Sequence, residues 1–513
     1  MVKNDRDKRN ASATVRPGVV ALVNDHLPPS QAMVADLLFL RELLEKARVG
    51  FLLVRGNDAR PVVVIDHSEF ANAKAALVAG TVGEPFLLKT EGKTGGPAVL
   101  VSDGLLSVGD SERAFVFYRP RVSLDGGLRF GSSAGVRIEV WTFGDDVVHA
   151  PAENALMRTV LPRSEVVETT VERYGVQWRT LEPMFDTVAS DITFDIDMVF
   201  SWVDGTDVEF QRARARRMKS YVVGEGDDHE ARFRQIDELK YALRSVYLFA
   251  PWVRRIFIAT DSPRPQWLDD HPKVTIMRSE DFFVDTSVLP THNSHAVESQ
   301  LHHIPGIADH FLYSNDDMFF GRPVTPEMFF SPGGITKFIE ATTRIGLGDS
   351  NPSRSGFENA ARVNRGLLKE RFGVTITRHL EHCAAPLSKQ VMAELATEFP
   401  EEFARTAASR FRSATDVSVT NSLYHYYALL TGRAIIQKEA KVLYVDTTMR
   451  HGLVAMEKLL AKRNYDMFCL NDGSFPEISA VERASVVGAF LESYFPIDAP
   501  WESANTAEQS HAM

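Results

Sequence analysis

Between residues 196 and 317, short apolar runs alternate with segments of helical spacing, and no other feature restricts the fold of this chain as tightly. Residues 196–203 read as a strand. Residues 234–250 read as a helix, with Ile236, Leu239, Leu243 and Val246 on one face. Residues 255–260, 274–277 and 311–314 read as further strands. Strands separated by helices predict an α/β domain with a doubly wound sheet. In such sheets ligands sit beyond the carboxyl ends of the strands. The first strand runs into Trp202-Val203-Asp204-Gly205-Thr206-Asp207, the second ends in Thr260-Asp261 and the fourth in Asn315-Asp316-Asp317. Three carboxylate-bearing ends are therefore expected along one sheet edge.

The remainder of the chain divides around this block. Residues 1–17, charged and then rich in Ser, Thr and Ala, are expected to form a flexible arm. Residues 18–190 predict a small α+β domain. In it, Pro29-Ser30 followed by Met33, Leu37, Leu38, Leu40, Leu43 and Leu44 marks a capped amphipathic helix. Residues 51–55 and 61–65 flank Gly56-Asn57-Asp58 as a hairpin would, 67–78 return to helix spacing, and 98–101, 114–118 and 136–142 look like strands. No catalytic constellation stands out there. Residues 191–480 form the expected catalytic domain, with 331–480 largely helical. In that part 391–399 and 421–430 are expected as helices and 441–445 as a strand. Residues 481–513 are expected as a C-terminal helix and, after Trp501, a disordered polar tail.

Composition removes several classes of function. The chain has 513 residues and a formal net charge of −11, so it presents no basic footprint for nucleic acid. Its two cysteines, Cys383 and Cys469, supply neither a disulfide framework nor a structural zinc site, and both are expected as small buried hydrophobes. No stretch approaches the roughly 18 apolar residues of a membrane span. The first 16 residues lack the apolar core of a secretory signal. The expectation is a cytoplasmic protein, compatible with peripheral attachment at the inner face of a membrane and with a homo-oligomer.

Asn315-Asp316-Asp317 is the sharpest local motif, a polar triplet between Phe311-Leu312-Tyr313 and Met318-Phe319-Phe320. Adjacent carboxylates at a strand end point to opposite sides, so one can hold Mg²⁺ while the other meets a hydroxyl. Asp195-Ile196-Asp197 matches the Asp-x-Asp signature of metal-dependent glycosyltransferases. It precedes its strand, however, which is the wrong end for a ligand. Arg232, Arg234, Lys240, Arg244, Arg254 and Arg255 form a basic cluster. Arg232 and Arg234, just before the helix, suit a diphosphate. The plain alternative is a solvated helix face with Asp237 as neighbour of Lys240 and Arg244. His292-Asn293-Ser294-His295, Glu298 and His302-His303 do not carry a zinc-binding spacing, and Asn293 or Ser294 could simply cap a helix. His379 and His382, beside Cys383, form a second histidine cluster.

Taken together these segments resemble the Stealth family. Ser-Trp-Val-Asp-Gly-Thr-Asp, within residues 197–207, resembles its first conserved region. Residues 232–323 resemble the second, carrying Arg-Phe-Arg-Gln-Ile-Asp-Glu-Leu-Lys-Tyr, Ala-Pro-Trp-Val-Arg-Arg, Leu-Pro-Thr-His-Asn-Ser and Phe-Leu-Tyr-Ser-Asn-Asp-Asp-Met-Phe-Phe-Gly-Arg. Residues 382–412, with Phe399-Pro400-Glu401-Glu402-Phe403, resemble the third, and Cys469-Leu470-Asn471-Asp472 the fourth. The N-terminal part also resembles that of mycobacterial exopolysaccharide phosphotransferases of the family. Two positions depart from the family pattern: Ala384 stands where Pro is usual, and His292 where Phe or Tyr often precedes Asn293. Neither change removes a charged group.

The resemblance implies a hexose-1-phosphate transferase acting in capsular or exopolysaccharide biosynthesis. Such an enzyme moves a sugar 1-phosphate from a UDP-sugar (UDP-glucose or UDP-GlcNAc type) to a glycan hydroxyl, leaving a phosphodiester and releasing UMP. It implies a glycosyltransferase-A-like, Rossmann-like fold and Mg²⁺ or Mn²⁺. Asp316 or Asp317, with Asp472, would hold the cation. Asp317 or His382 would be the base, Arg234 and Arg412 would pair with phosphate oxygens, and Asp204 and Asn293 would position substrates. Trp202, Gly205, Arg232, Asp237, Lys240, Ser294, Asn315 and Asn471 complete the implied binding set. Two alternatives stand beside this reading: an ordinary glycosyltransferase releasing UDP, and a non-catalytic nucleotide-sugar-binding assembly subunit.

Overall fold

The central sheet begins on a buried charge. Asp197 is fully buried, and its carboxylate accepts from Arg254 Nε (2.9 Å) and Nη2 (2.6 Å) and from the N–H groups of Arg255 (3.1 Å) and Ala308 (2.7 Å). Asp195 takes a further bond from Arg254 (2.9 Å). The Asp-x-Asp segment is thus a strand-start clamp, and Arg254 of the basic cluster is its partner. The clamp holds together the N-terminal ends of β1 (Ile196–Ser201) and β2 (Ile256–Ala259). These contacts come from a computed structural model, which describes residues 12–16, 19–91, 98–104, 112–205, 236–473 and 476–503.

With β3 (Val274–Met277), β4 (His310–Asn315) and β6 (Ala385–Ser388), the sheet runs in the order β3-β2-β1-β4-β6. The first four strands are parallel and β6 is antiparallel to β4. Register places Ser201 beside Asn315, so the C-terminal ends of β1 and β4 lie side by side. Their apolar runs are buried, as parallel strands covered on both faces require. Helix α1 (Glu238–Phe249) precedes β2. A second sheet consists of β5 (Met318–Phe320), β8 (Met467–Asn471) and β7 (Val442–Asp446), with β8 in the middle. The Asp316-Asp317 turn is the passage from one sheet to the other, and the Leu470 N–H donates to the Asp317 carbonyl (2.9 Å). Helices α2 (Ser294–Gln300), α3 (Gly356–Phe372) and α4 (Lys389–Glu398) enclose the core around Phe257, Phe311, Leu387 and Tyr424.

The chain divides into two compact units, Met1–Ala189 and Ser190–Met513. In the first, Phe51–Val54 and Val62–Asp66 form the antiparallel pair read from sequence, and Val62–Asp66 also pairs in parallel with Val136–Phe143. Ser12–Arg16, expected in a flexible arm, is instead a strand against Val19–Val23. In the second unit the part beyond residue 331 is less helical than expected. It also contains Thr336–Phe338, Glu340–Arg344, Arg378–Leu380 and Ala434–Ile436 as strands too short to show a period. Helix α5 (Ala480–Tyr494) is followed by chain packed into the unit. Trp501 is buried, and Glu502 bonds the buried Arg244 of α1 (2.7 Å). The chain stays engaged through Ser503, whose N–H donates to the Trp267 carbonyl (2.9 Å), and the rest of the tail read after Trp501, residues 504–513, lies outside the described residues. Among the described residues no helix is long and apolar enough to cross a membrane.

Candidate active site

Asp316 and Asp317 sit where the two sheets meet. Burial, followed by the neighbouring Asp317, Glu238 and Asp472 carboxylates, holds the Asp316 carboxyl well above the usual range. The four acids reach this point from β4–β5, the first turn of α1 and the end of β8. Glu238 accepts from the Ile236 N–H (2.7 Å), and burial pushes its carboxyl up to about 7. Arg483 of α5 lies between two of these acids. It pairs with Asp472, stands 3.7 Å from Glu238, and donates to Thr447 Oγ1 (2.8 Å). Thr447 Oγ1 is in turn 3.1 Å from Asp472. Asp446, at the end of β7, accepts from the N–H groups of Thr448 (3.0 Å) and Gly473 (3.2 Å). This bond sets the Asn471-Asp472-Gly473 turn. A Cβ on Gly473 would fall 2.1 Å from Asp446 Oδ2, so any larger residue there has to displace the Asp446 carboxylate.

His382 connects to this group through Tyr444. Its ring lies edge-on to Tyr444 (5.2 Å between centroids) and 6.0 Å from Phe357. Burial lowers its pKa below 6.5, which keeps the imidazole neutral near pH 7 and able to accept a proton. Tyr444 bonds Asn471 and lies in the field of Asp317, linking His382 to the acids. The Cys469 thiol, buried as expected, also donates to Asp317 Oδ2 (3.4 Å).

A second hydrogen-bond network lies at the neighbouring strand ends. Tyr313 Oη is 2.7 Å from Ser201 Oγ and donates to Asn315 Oδ1 (3.0 Å). Thr420 donates to the buried Glu298 (2.7 Å). Arg412 donates to Ser294 Oγ (2.8 Å) and bears on the Tyr313 hydroxyl electrostatically. Asn293 is 1 % exposed. Its Oδ1 accepts from the His295 N–H (3.1 Å), and its amide donates to Asp416 (2.8 Å) and the Ser409 carbonyl (3.1 Å). That is the capping role, with the amide engaged inside the fold.

Along the first strand, Trp202 is buried and its indole N–H has no partner among the described residues. The Asp204 N–H donates to Ser262 Oγ (2.8 Å), and Gly205 follows directly. Asp237, at φ 56°, is in the left-handed region, which for a non-glycine residue concentrates at functional sites. Burial raises its pKa, Lys240 opposes that, and Asp204 adds to it, so Asp204 and Asp237 share one environment. Lys240 is also 3.8 Å from Glu502. Arg232 and Arg234 lie outside the described residues.

The structure thus groups Asp316, Asp317, Asp472 and Asn471, links His382 to them through Tyr444, and sets Asp204–Asp237 and Ser294–Arg412 in two further groups. Glu238, Arg483, Tyr444 and Asp446 were missed from sequence. An acid in the first turn of a helix reads as a partner of the helix dipole, and the other three sit far along the chain from the Asp pair. The donors suit a hard divalent cation, because they are carboxylate oxygens crowded enough to resist ionising together. Among the described residues no group of three or more His, Cys, Asp or Glu is gathered as a ready metal cage. Two adjacent carboxylates are the number of protein ligands that a Mg²⁺ site completed by ligand oxygens uses.

Models of the Stealth protein conserved regions match four stretches of the second unit: region 1 over residues 194–222, region 2 over 232–338, region 3 over 381–429 and region 4 over 457–512. The chain is 59 % identical over 501 residues to the exopolysaccharide phosphotransferase CpsY of Mycobacterium tuberculosis H37Rv, covering 96 % of this chain and 94 % of that protein. It is 59 % identical over 491 residues to CpsY of Mycobacterium leprae (96 % and 90 % covered). With the exopolysaccharide phosphotransferase of Nocardia farcinica it shares 53 % over 488 residues (94 % and 90 %). Among solved structures it is similar to galactosyltransferase LgtC in complex with donor and acceptor sugar analogs. That match has a TM-score of 0.30 and 11 % identity, and covers 59 % of this chain and 96 % of LgtC.

Proposed function

The chain belongs to the Stealth family, and on that premise we propose that it transfers a sugar 1-phosphate from a UDP-sugar to a hydroxyl of a glycan acceptor, releasing UMP. The observation that supports the reading is the crowding of the Asp316-Asp317 turn with Glu238 and Asp472, and its link to His382 through Tyr444. Phosphoryl transfer asks for charge neutralisation and in-line positioning more than for a covalent intermediate. A bound Mg²⁺ or Mn²⁺ would neutralise the diphosphate. Asp316 and Asp317 would hold it, with Asp472 adjoining through its Arg483 partner. His382 would take the proton of the acceptor hydroxyl, with Asp317 as the other candidate. The acceptor oxygen bonds to the β-phosphorus, the bond from that phosphorus to the bridging oxygen breaks, and the sugar C1–O bond stays intact. Arg412, anchored on Ser294, is suited to the charge on the phosphoryl oxygens. Asp204, Asp237 and Trp202 would position the nucleotide sugar, and Arg232 and Arg234 the diphosphate. On this reading the enzyme serves exopolysaccharide biosynthesis from the cytoplasm. Purified protein incubated with Mg²⁺, UDP-glucose or UDP-GlcNAc and a glycan acceptor should release UMP, and EDTA should abolish the release. Release of UDP would assign the chain to ordinary glycosyl transfer.

A further inference from the structure

We infer that the first unit carries a binding site of its own for a neutral oligosaccharide, in a cavity beside the helix Pro29–Lys46. The cavity has a volume of 720 Å³, within the range of about 300–1,000 Å³ in which small-molecule sites fall. Its walls come from that helix, from the strand Val19–Val23 with the segment that follows it, and from Glu84, Arg119, Arg121 and Val176. None of these residues belongs to the carboxylate group of the second unit or takes part in the reaction proposed above. The inference therefore stands whether the nucleotide released is UMP or UDP.

The amphipathic helix divides its faces between the core and this cavity. Leu37, Leu40 and Leu44 are buried in the core, while Ala35, Leu38, Glu42 and Glu45 recur at helical spacing along the cavity. Asp36 is fully buried, and its carboxylate accepts from Arg119 Nε (2.7 Å) and from Arg121 Nη1 (2.9 Å) and Nη2 (2.7 Å). Arg119 also donates to Glu84 (3.1 Å), and its guanidinium lies over the rings of Phe86 (4.6 Å) and Phe39 (5.4 Å). Farther along the helix, Arg41 donates to Glu45 (2.7 Å) and to the Gln177 carbonyl (2.8 Å), and lies over Trp178 (4.8 Å). Two guanidinium groups are thus fixed at the cavity by ion pairs and ring contacts. Leu38 and Phe39, both half-buried, lie between their anchor points on the helix.

A sugar ring presents hydroxyls that donate and accept at once, and C–H faces that are apolar. The cavity offers the complement of each: carboxylates and guanidinium groups side by side, with a leucine and a phenylalanine among them. Its charges nearly cancel, since Asp36, Glu42, Glu45 and Glu84 stand against Arg41, Arg119 and Arg121. A polyanion would meet the three glutamates, and a polycation the three arginines. The apolar surface is too interrupted by charge for a lipid chain. Because the arginines are already held in place, binding has little left to order.

The test is calorimetric titration of the full chain, in EDTA, with linear neutral tetramers of glucose, mannose and galactose, and with a galacturonate tetramer as the anionic counterpart. At least one neutral tetramer should bind at least about tenfold more tightly than the galacturonate tetramer, with an affinity indifferent to salt. Glu42→Ala, at an exposed position, should weaken that binding about tenfold, the loss expected for a hydrogen bond to a charged group. Phe39→Leu keeps an apolar side chain against Phe86 and removes the flat ring, and should weaken binding several-fold. Glu42→Ala carries the test if Phe39→Leu does not fold. Both variants should bind UDP-glucose, in Mg²⁺, as wild type does. Failure of all three neutral tetramers to bind would overturn the proposal, as would tighter binding of the galacturonate tetramer. So would a bound tetramer whose affinity neither variant moves, because the glycan would then sit elsewhere on the chain.

Discussion

At Asp316 the protein concentrates more negative charge than an apolar setting tolerates, and two neighbouring details decide whether that charge is useful. One is Gly473. Replacing it with Ala puts a methyl against the Asp446 carboxylate, which accepts from the Gly473 N–H and so holds the turn that carries Asp472. Gly473→Ala should lower turnover by about two orders of magnitude while far-UV circular dichroism stays native, since small misplacements of a reacting group cost about that much. The other is His382. Its depressed pKa keeps the imidazole unprotonated down to below 6.5, so the acid limb of the kcat profile should fall below that value. His382→Asn should remove that limb and cost about 10²–10⁴ in kcat, measured from pH 5 to 8. An acid limb unmoved in the variant would pass the base role to Asp317. At this scale the sequence showed the residues that carry family motifs. It did not show Glu238, Arg483 or Asp446, which matter through partners hundreds of residues away or through one bond to a turn.

Among the elements, the start of β1 is the most informative. Asp-x-Asp at the N-terminal end of a strand was legible as something other than a metal ligand, because ligand sites lie at the opposite end. Its partner Arg254 was not legible, since a cation in a basic cluster looks like a phosphate binder until its contacts are seen. Asp197→Ala leaves the Arg255 and Ala308 N–H groups without their acceptor while Arg254 keeps Asp195 and the Gly306 carbonyl, and should destabilise the second unit by about 2–4 kcal/mol in urea titration. A change under about 1 kcal/mol would mean that the clamp is dispensable. The α/β alternation was visible because each run is long enough to show a period. The strands of three to five residues after residue 331 are not, and Asn293 illustrates the same limit, being motif-like in sequence and a helix cap in the fold.

For the whole molecule, each unit has its own buried core, one around Phe86, Phe115 and Phe117 and one around Phe257, Phe311 and Leu387. Residues 190–513 produced alone should therefore unfold in a single cooperative calorimetric transition. A broad transition without cooperativity would mean that the second unit depends on the first. The engagement of Glu502 with Arg244 was hidden because one polar residue near the end of a chain carries no periodic signal. What the molecule does turns on the fate of one phosphorus atom. The most direct measurement supplies a UDP-sugar labelled with ³²P at the β-phosphate, together with Mg²⁺ and a glycan acceptor, and follows the label. Sugar-1-phosphate transfer places it in the glycan, in a linkage resistant to phosphatase, with unlabelled UMP released. Label recovered wholly in UDP, with the glycan extended but free of ³²P, would contradict the account.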